Sequence, residues 1–422
     1  MRDASWIVPA ALLSLTALGG CSESDEPTQP NTPEPVTVRV AYCNGNQPNW
    51  VAFQDGDNGW THITPVTMGD TITYQYVFGR NSGGIATQSS GGGGLTILEV
   101  FFGTPTELAT VGNTKTIYCG TPASKALLGT VAGVDTNESA LIAGHISHTT
   151  ANPAGMFALM GIGSGPHDLF AARHTRSSGP TALTRIIVRR AIDLPDSTVL
   201  PVLDFGSPEA IVPVTGTVTV TGLGPEGATT VLRVITRTSE VLLSPLLSAS
   251  TTPARPYAAL PLGELRTDDI QGILASAVSG SATRTAEFYF QAPGNPTLAL
   301  PTALTRPTID TVATTPALRL RARYVAQADF DRQASIQYQQ GTTTIVGVSM
   351  TAAYAALSTN GYELVVPDLS GVTGFNSAWA LHPGSPTIWT AGRIGGTVGL
   401  GVNAIPSEGA VRRSAFDTDT IP

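Results

Sequence analysis

The chain has 422 residues, enough for three or four domains of ordinary size. Its formal net charge of −8 argues against a general nucleic-acid-binding protein, and its apolar fraction of 41% excludes a wholly disordered chain. Charged residues make up only 13%, while 45 glycines and 31 prolines indicate short strands joined by tight turns.

An apolar stretch from Trp6 to Ala17 precedes Leu18-Gly19-Gly20-Cys21. It is too short to span a bilayer comfortably and contains Pro9, so it is typical of a secretory signal. Its ending resembles the lipobox of bacterial lipoproteins. The resemblance implies that residues 1–20 are a signal peptide and that Cys21 carries lipid, such as palmitate, at the mature N-terminus. The alternative is an ordinary cleaved signal with an incidental cysteine.

Residues 21–36 are polar, acidic and rich in proline, which predicts an extended tether between the membrane and the folded part. In lipoproteins the residue after the lipidated cysteine influences sorting, and Ser22 is not the aspartate linked to inner-membrane retention. The resemblance therefore implies a lipid-anchored protein of the cell envelope, at the outer membrane.

Residues 37–120 are predicted to form a β domain. Ile72, Tyr74, Tyr76 and Phe78 alternate with mostly polar residues, as in a strand with one buried face. The Asn-Gly pair within 55–59 predicts a hairpin. Residues 81–94, rich in Gly and Ser, are predicted to be a loop before a strand over 95–102.

Two cysteines remain once Cys21 is lipidated. Cys43 and Cys119 each follow a tyrosine at the end of a strand-like run. In an exported protein such a pair predicts a disulfide. The alternatives are two free thiols or metal ligands, and neither cysteine has a histidine nearby at a recognised ligand spacing.

Residues 124–206 are predicted to form a second β domain. Leu128-Gly129-Thr130-Val131 is followed by Phe157-Ala158-Leu159-Met160-Gly161, and then by Gly165-Pro166 and Leu169-Phe170-Ala171. This order, over 126–205, resembles the carboxypeptidase-regulatory-like, transthyretin-type sandwich. The resemblance implies a structural or adhesion module without an active site. The whole chain also resembles envelope lipoproteins of environmental bacteria.

Two further β domains are predicted over 210–301 and 305–422. In the first, valines at 214, 218 and 220 alternate with threonines, and a short helix is predicted over 267–278 with Thr267 as its cap. Residues 304–316, rich in Thr and Pro, are predicted to be a linker or an edge connection. The tail over 412–422 is predicted to be loose. The fold class is therefore all-β, with several immunoglobulin-like or transthyretin-like sandwiches in tandem.

Three groups of side chains are candidates for binding. Asp55 and Asp57 lie on a tight turn and could hold calcium, although a plain hairpin turn is the favoured explanation. Tryptophans could stack on sugars or could belong to the core. Alternating arginines could meet an anionic surface or be a solvated outer face. The tryptophans are Trp50, Trp60, Trp379 and Trp389, and the arginines are Arg319, Arg321 and Arg323.

Two histidine motifs were also considered. His145 and His148 are three residues apart, so on a strand they point to opposite faces and would share a metal only if the backbone turned between them. His167 and Asp168 are neighbours, whose side chains diverge on a strand, so a catalytic relay would need distant partners.

Motifs of catalysis are missing from the sequence: it has no nucleophile elbow, phosphate loop, dinucleotide fingerprint or zinc-protease helix. We therefore expect no catalytic residue and no cofactor. The predicted function is a non-catalytic, lipid-anchored structural or adhesion module that binds an envelope protein or glycan. The alternatives are a polysaccharide-binding lipoprotein that serves a partner enzyme, and a hydrolase with an inter-domain site.

Overall fold

The computed structural model describes residues 35–43, 47–68, 71–113, 125–144, 147–162, 165–175, 183–193, 195–236, 238–243, 249–399 and 406–421. All of these belong to one structural unit, residues 35–422. Strands make up 56% of the structure and helices 6%, which confirms an all-β protein of several sandwiched sheets. The predicted signal peptide and nearly all of the tether lie outside the described residues.

The described residues of the first segment, within 35–113, contain seven strands and one α-helix. They are β1 (Val36–Cys43), β2 (Trp50–Asp55), β3 (Thr61–His62), β4 (Val66–Met68), β5 (Thr71–Phe78), β6 (Gly83–Ser90), β7 (Thr96–Gly103) and α1 (Pro105–Asn113). β2 and β3 are antiparallel, which confirms the hairpin. The predicted loop over 81–94 is wrong, because most of it is β6, paired with β2 and β7. Its small residues allow close packing: a Cβ on Gly84 would come within 2.8 Å of the Trp60 ring.

The second segment folds as two facing sheets. Its strands are β8 (Lys125–Ala132), β9 (Glu138–Gly144), β10 (Ser147–Thr150), β11 (Met156–Ile162), β12 (His167–Thr175), β13 (Leu183–Ile192), β14 (Thr198–Val199) and β15 (Leu203–Asp204). The sheet β10-β9-β12-β13 packs against β11-β8-β14 around an apolar core that includes Phe157, Leu159 and Ile187.

The third segment supplies β16 (Val214–Thr221), β17 (Thr229–Ile235), β18 (Glu240–Leu242), β19 (Ala254–Ala259), β20 (Ile270–Ser279), β21 (Ala282–Phe290) and β22 (Thr297–Ala299). The helix predicted over 267–278 is wrong, because most of that range is β20, paired with both β17 and β21. The period of two in Ile273, Ala275 and Ala277, which are all buried in the core, is the signal that was missed.

The fourth segment supplies β23 (Thr308–Ala313), β24 (Arg319–Arg323), β25 (Gln333–Gln340), β26 (Thr344–Thr351), α2 (Ala352–Leu357), β27 (Glu363–Val365), β28 (Thr387–Gly396) and β29 (Val411–Ile421). β23 is an edge strand of the sheet β23-β24-β27, so the prediction of an edge connection over 304–316 is confirmed. The prediction of a loose tail is wrong, because β29 lies inside a sheet between β21 and β28.

One sheet of twelve strands, the long sheet, dominates the fold. Its order is β18-β17-β20-β21-β29-β28-β25-β26-β7-β6-β2-β3. It therefore contains strands from three of the four predicted domains, whose boundaries stay predictions. One of its faces is covered, by β23-β24-β27 around residues such as Tyr338 and Trp389, and by β19-β16-β22 around residues such as Ile273.

Candidate functional site

The middle of the long sheet leaves its other face uncovered among the described residues. Strand pairing places directly opposite residues on the same face. Thr390 opposes Thr418 and Gln337, while Gly392 opposes Phe416 and Ser335. We call this surface the open face. It comprises Thr283, Thr285, Ser335, Gln337, Gly347, Ser349, Thr390, Gly392, Ser414, Phe416 and Thr418.

The open face is bounded at both ends by packed residues. Towards β2 the same face of the sheet is covered by β1 and β5, through a core that includes Val51, Phe53 and Ile85. Towards β20 it is covered by the segment around Val398 and Ala410. Between these ends exposure alternates along β25: Ser335 and Gln337 are accessible to solvent, whereas Ala334, Ile336 and Tyr338 are buried.

An aromatic ring lies on this face. A Cβ built on Gly392 would come within 2.8 Å of two Phe416 ring atoms and within 2.8 Å of Ser335 Oγ. The Phe416 ring therefore lies over Gly392, in space that only glycine leaves free. Phe416 is half-buried, and it belongs to none of the five apolar clusters found among the described residues.

The side chains around the ring are hydroxyls and amides. The Thr390 and Thr418 hydroxyls are 3.1 Å apart and share a hydrogen bond across the strands, as do those of Thr285 and Ser414. Gln337 is exposed. The open face itself contains no Asp, Glu, Lys or Arg, but the same face of the sheet carries Glu99, opposite Gly347, and Arg412, two residues before Ser414. Such a face can stack on an apolar ring surface and exchange hydrogen bonds, and it has no concentration of like charges.

The predicted tryptophan platforms lie elsewhere, in packed surroundings. Trp50 is 3% exposed, and its Nε1 donates to the Thr373 carbonyl at 3.0 Å. Trp60 packs edge-on against Phe102, and Trp379 packs against Trp50. Trp389 is 6% exposed. The structure thus places these rings in or against the core, which was the alternative considered for them.

Asp55 and Asp57 lie at the turn after β2. The Asp55 carboxylate accepts from the backbone N–H groups of Gly79 and Arg80, at 3.1 and 2.9 Å, so it holds a neighbouring turn. Asp57 is exposed. Within the described ranges, no group of three or more His, Cys, Asp or Glu side chains could hold a metal ion.

The arginine row on β24 is balanced by carboxylates. Arg323 contacts Asp310 at 3.0 Å and Glu363 at 2.9 Å, and Arg321 also pairs with Asp310. The hydrogen bond from Arg321 lowers the pKa of the Asp310 carboxyl. Arg319 donates to the Val366 carbonyl at 2.9 Å. This neutralisation leaves little positive field to attract an anionic surface.

His167 and Asp168 lie at the start of β12, where it packs against the third segment. Asp168 is 4% exposed and contacts Arg190 at 3.0 Å, and Arg190 contacts Asp269 at 2.7 Å. The Asp168 backbone N–H donates to Thr238, and its carbonyl accepts from Ser239 at 2.8 Å. We call this contact the β12 interface. It joins two segments and contains no relay between His167 and Asp168. His148 is exposed, and His145 lies outside the described residues.

Sequence reasoning did not single out His174, which is also on β12. It is 3% exposed, and neither ring nitrogen has a hydrogen-bond partner of good geometry. Burial lowers the pKa of His174 to about 4, against a smaller opposing effect of the Leu243 carbonyl. Phe170 and Ala172, on the same face of β12, pack into the core shared with the third segment, so the neutral imidazole is enclosed at the β12 interface.

The cysteine predictions fall largely outside what the structure describes. Cys43 ends β1, whereas Cys21 and Cys119 lie outside the described residues. The disulfide therefore stays a prediction. In the described part of the chain no helix has the length and hydropathy needed to cross a membrane.

Comparison with known proteins leaves the family open. Neither the known protein families nor the curated proteins include one that this chain matches. The functional argument therefore rests on the geometry described above.

Proposed function

We propose that the chain is a non-catalytic, lipid-anchored binding module of the cell envelope. The observation that carries this proposal is the open face, where a half-buried Phe416 lies over Gly392 in a sheet that is otherwise packed. An aromatic side chain that serves no core, on a surface without charge, is typical of a recognition surface. The lipobox-like sequence ending at Cys21 and the Pro-rich tether support the anchored state.

Anchoring follows from the chemistry of the lipid. Each buried methylene contributes about 0.8 kcal/mol, and a single acyl chain binds a membrane only marginally. Several chains on Cys21 would hold the protein durably, and an extended tether over 21–36 would keep the folded part off the bilayer. Ser22 supports placement at the outer membrane.

A second candidate function is a polysaccharide-binding lipoprotein that serves a partner enzyme. The hydroxyls and amides of the open face favour it over protein adhesion, because the core of a protein interface is usually more apolar. Both candidates use the same surface and differ in the ligand.

The anchor is tested with Cys21→Ser in the native host. We expect the variant to lose metabolic palmitate labelling and to move from the membrane fraction to the soluble fraction. Ser24→Ala, three residues further along the tether, is the control and should keep both label and location. Unchanged labelling and membrane binding of Cys21→Ser would contradict the proposal.

The non-catalytic assignment is tested with a fluorophosphonate probe for serine hydrolases and with epoxide probes for glycosidases. We expect no covalent label on the folded protein. A label that appears on the native chain and disappears on denaturation would favour the hydrolase alternative instead.

We also propose that Cys43 and Cys119 form a disulfide, which the exported compartment favours. Mass spectrometry of the unreduced protein should find the two peptides joined. Alkylation of both thiols without prior reduction would contradict the pairing.

A further inference from the structure

We propose that the open face binds an uncharged polysaccharide strand, with the Phe416 ring as the platform for one sugar unit. This inference rests on the proposed binding function and names its ligand. Gly392 lies inside a strand, where a glycine weakens the strand unless the close approach of another group requires it. Here the approach is that of the Phe416 ring, which lies across the sheet towards Ser335.

The ring lies against the sheet at Gly392 and keeps part of its surface accessible to solvent. Large aromatic side chains elsewhere in the long sheet, such as Tyr289 and Tyr338, are fully buried. Phe416 is only half-buried, and no apolar cluster of the described residues includes it. An apolar sugar face stacked on the ring would remove its remaining exposed surface from water.

The polar groups around the ring fit the edges of sugars. Thr418, Thr390 and Thr283 surround Phe416 on its own and adjacent strands, and Ser335 and exposed Gln337 follow on β25, the next strand beyond β28. Strands lie about 4.8 Å apart, so these groups form regular rows of hydroxyl donors and acceptors across the sheet. Sugar hydroxyls are donors and acceptors as well, and can bond to both kinds of group.

The charge distribution selects an uncharged ligand. The residues of the open face are uncharged, and the same face of the sheet carries Glu99, opposite Gly347, and Arg412, which opposes Glu287. With a net charge of −8, the chain offers no attraction to uronate or sulfate groups. The net negative charge does not weaken the binding of a neutral polysaccharide, so the structure points to neutral rather than anionic glycans.

The test is affinity electrophoresis of the detergent-solubilised full-length protein in gels that contain soluble polysaccharides. Hydroxyethylcellulose, glucomannan and dextran are the neutral probes, and polygalacturonate and heparin are the anionic ones. We expect retardation by at least one neutral probe and by neither anionic probe. Phe416→Ala should weaken binding about tenfold, and Phe416→Trp should retain or strengthen it. Met160→Ala, on the exposed face of β11, is the control and should bind as the wild type does.

Several results would overturn the inference. These are no retardation by any neutral probe, equal retardation by the anionic ones, or unchanged binding by folded Phe416→Ala. A dimer in sedimentation that Phe416→Ala dissociates would assign the face to a second copy of the chain. In that last case the glycan inference fails and the binding-module proposal stands. A negative result of the Cys21→Ser anchoring test would instead affect only the binding-module proposal.

Discussion

The β12 interface and the open face both place polar side chains on strands, yet they treat them in opposite ways. At the β12 interface the carboxylates of Asp168 and Asp269 are enclosed and share Arg190. On the open face the hydroxyls of Thr390 and Thr418 are half-exposed and bond to each other. The first arrangement holds two segments together, while the second leaves hydrogen-bonding capacity directed at solvent.

This difference separates stability from recognition. A buried charge that loses its partner is costly, so the groups of the β12 interface are constrained by folding. Exposed hydroxyls and a half-buried ring cost little to replace, so folding does not explain their presence on the open face. Substitutions in the two regions should therefore have very different effects on the free energy of unfolding.

Among the polar groups, the largest effect is expected for Asp168→Ala at the β12 interface. It removes one partner of Arg190 and leaves the Ala191 backbone N–H without its acceptor. We expect a loss of about 3 kcal/mol in the free energy of unfolding, measured by urea denaturation. Asp419→Ala removes an ion pair with Arg306 that is 51% exposed on both sides, and should cost about 0.5 kcal/mol or less. Equal losses of unfolding free energy in Asp168→Ala and Asp419→Ala would contradict the expected difference between a buried and an exposed ion pair.

His174 makes the β12 interface sensitive to acid. Its pKa is about 4 in the folded protein and 6.5 in the unfolded chain, so the unfolded chain binds the proton more tightly. His174 does not change the free energy of unfolding above pH 6.5, and about 3 kcal/mol of that free energy is lost as the pH falls to about 4. Urea denaturation across this range should show the loss in the wild type, and His174→Leu should lack this part of the pH dependence. The control His148→Gln, at an exposed site, should behave as the wild type does.

Sequence patterns predicted the fold class well because alternation is a local signal. Strands such as β5 were predicted from residues that lie side by side in the chain. Helix α1 carries a signal too: Glu107 Oε2 accepts from the Thr104 backbone N–H at 2.9 Å, and the Glu107 N–H donates back to the Thr104 hydroxyl. This capping box, Thr-x-x-Glu, is legible in the sequence and was missed.

The open face could not be predicted in the same way. β29 has the composition of a loose tail, and it becomes a strand because β21 and β28 supply partners from residues far away in sequence. Gly392 and Phe416 are 24 residues apart, and only the register of two strands places them together. Trp50 shows the converse, since a large ring alone does not tell a core position from a platform.

On the open face, Phe416→Ala should cost much less than a core aromatic. The ring is half-buried and packs on Gly392. We therefore expect a loss of about 1 kcal/mol in the free energy of unfolding, within the range of strand propensity. Removal of a fully buried aromatic typically costs about 3–5 kcal/mol, and Trp50→Ala on the covered face should do so. Urea denaturation of both variants sharpens the comparison between the two faces. A loss of about 3 kcal/mol for Phe416→Ala would place the ring in the core and contradict an open face.

The smallest effect on stability is expected for Gly392→Ala, where two contributions oppose each other. A methyl group reduces the freedom of the unfolded chain, which stabilises by about 0.5–1 kcal/mol. The same methyl group would meet the Phe416 ring at 2.8 Å, so the ring must move. Because that ring is held by no core cluster, it can tilt away from the sheet, and we expect a net change within about 0.5 kcal/mol by urea denaturation. Neutral-glycan binding, however, should fall about as much as in Phe416→Ala, because a tilted ring no longer offers a flat platform. A Gly392→Ala protein that unfolds at the wild-type midpoint and still binds fully would show that the position of the ring on Gly392 has no part in recognition.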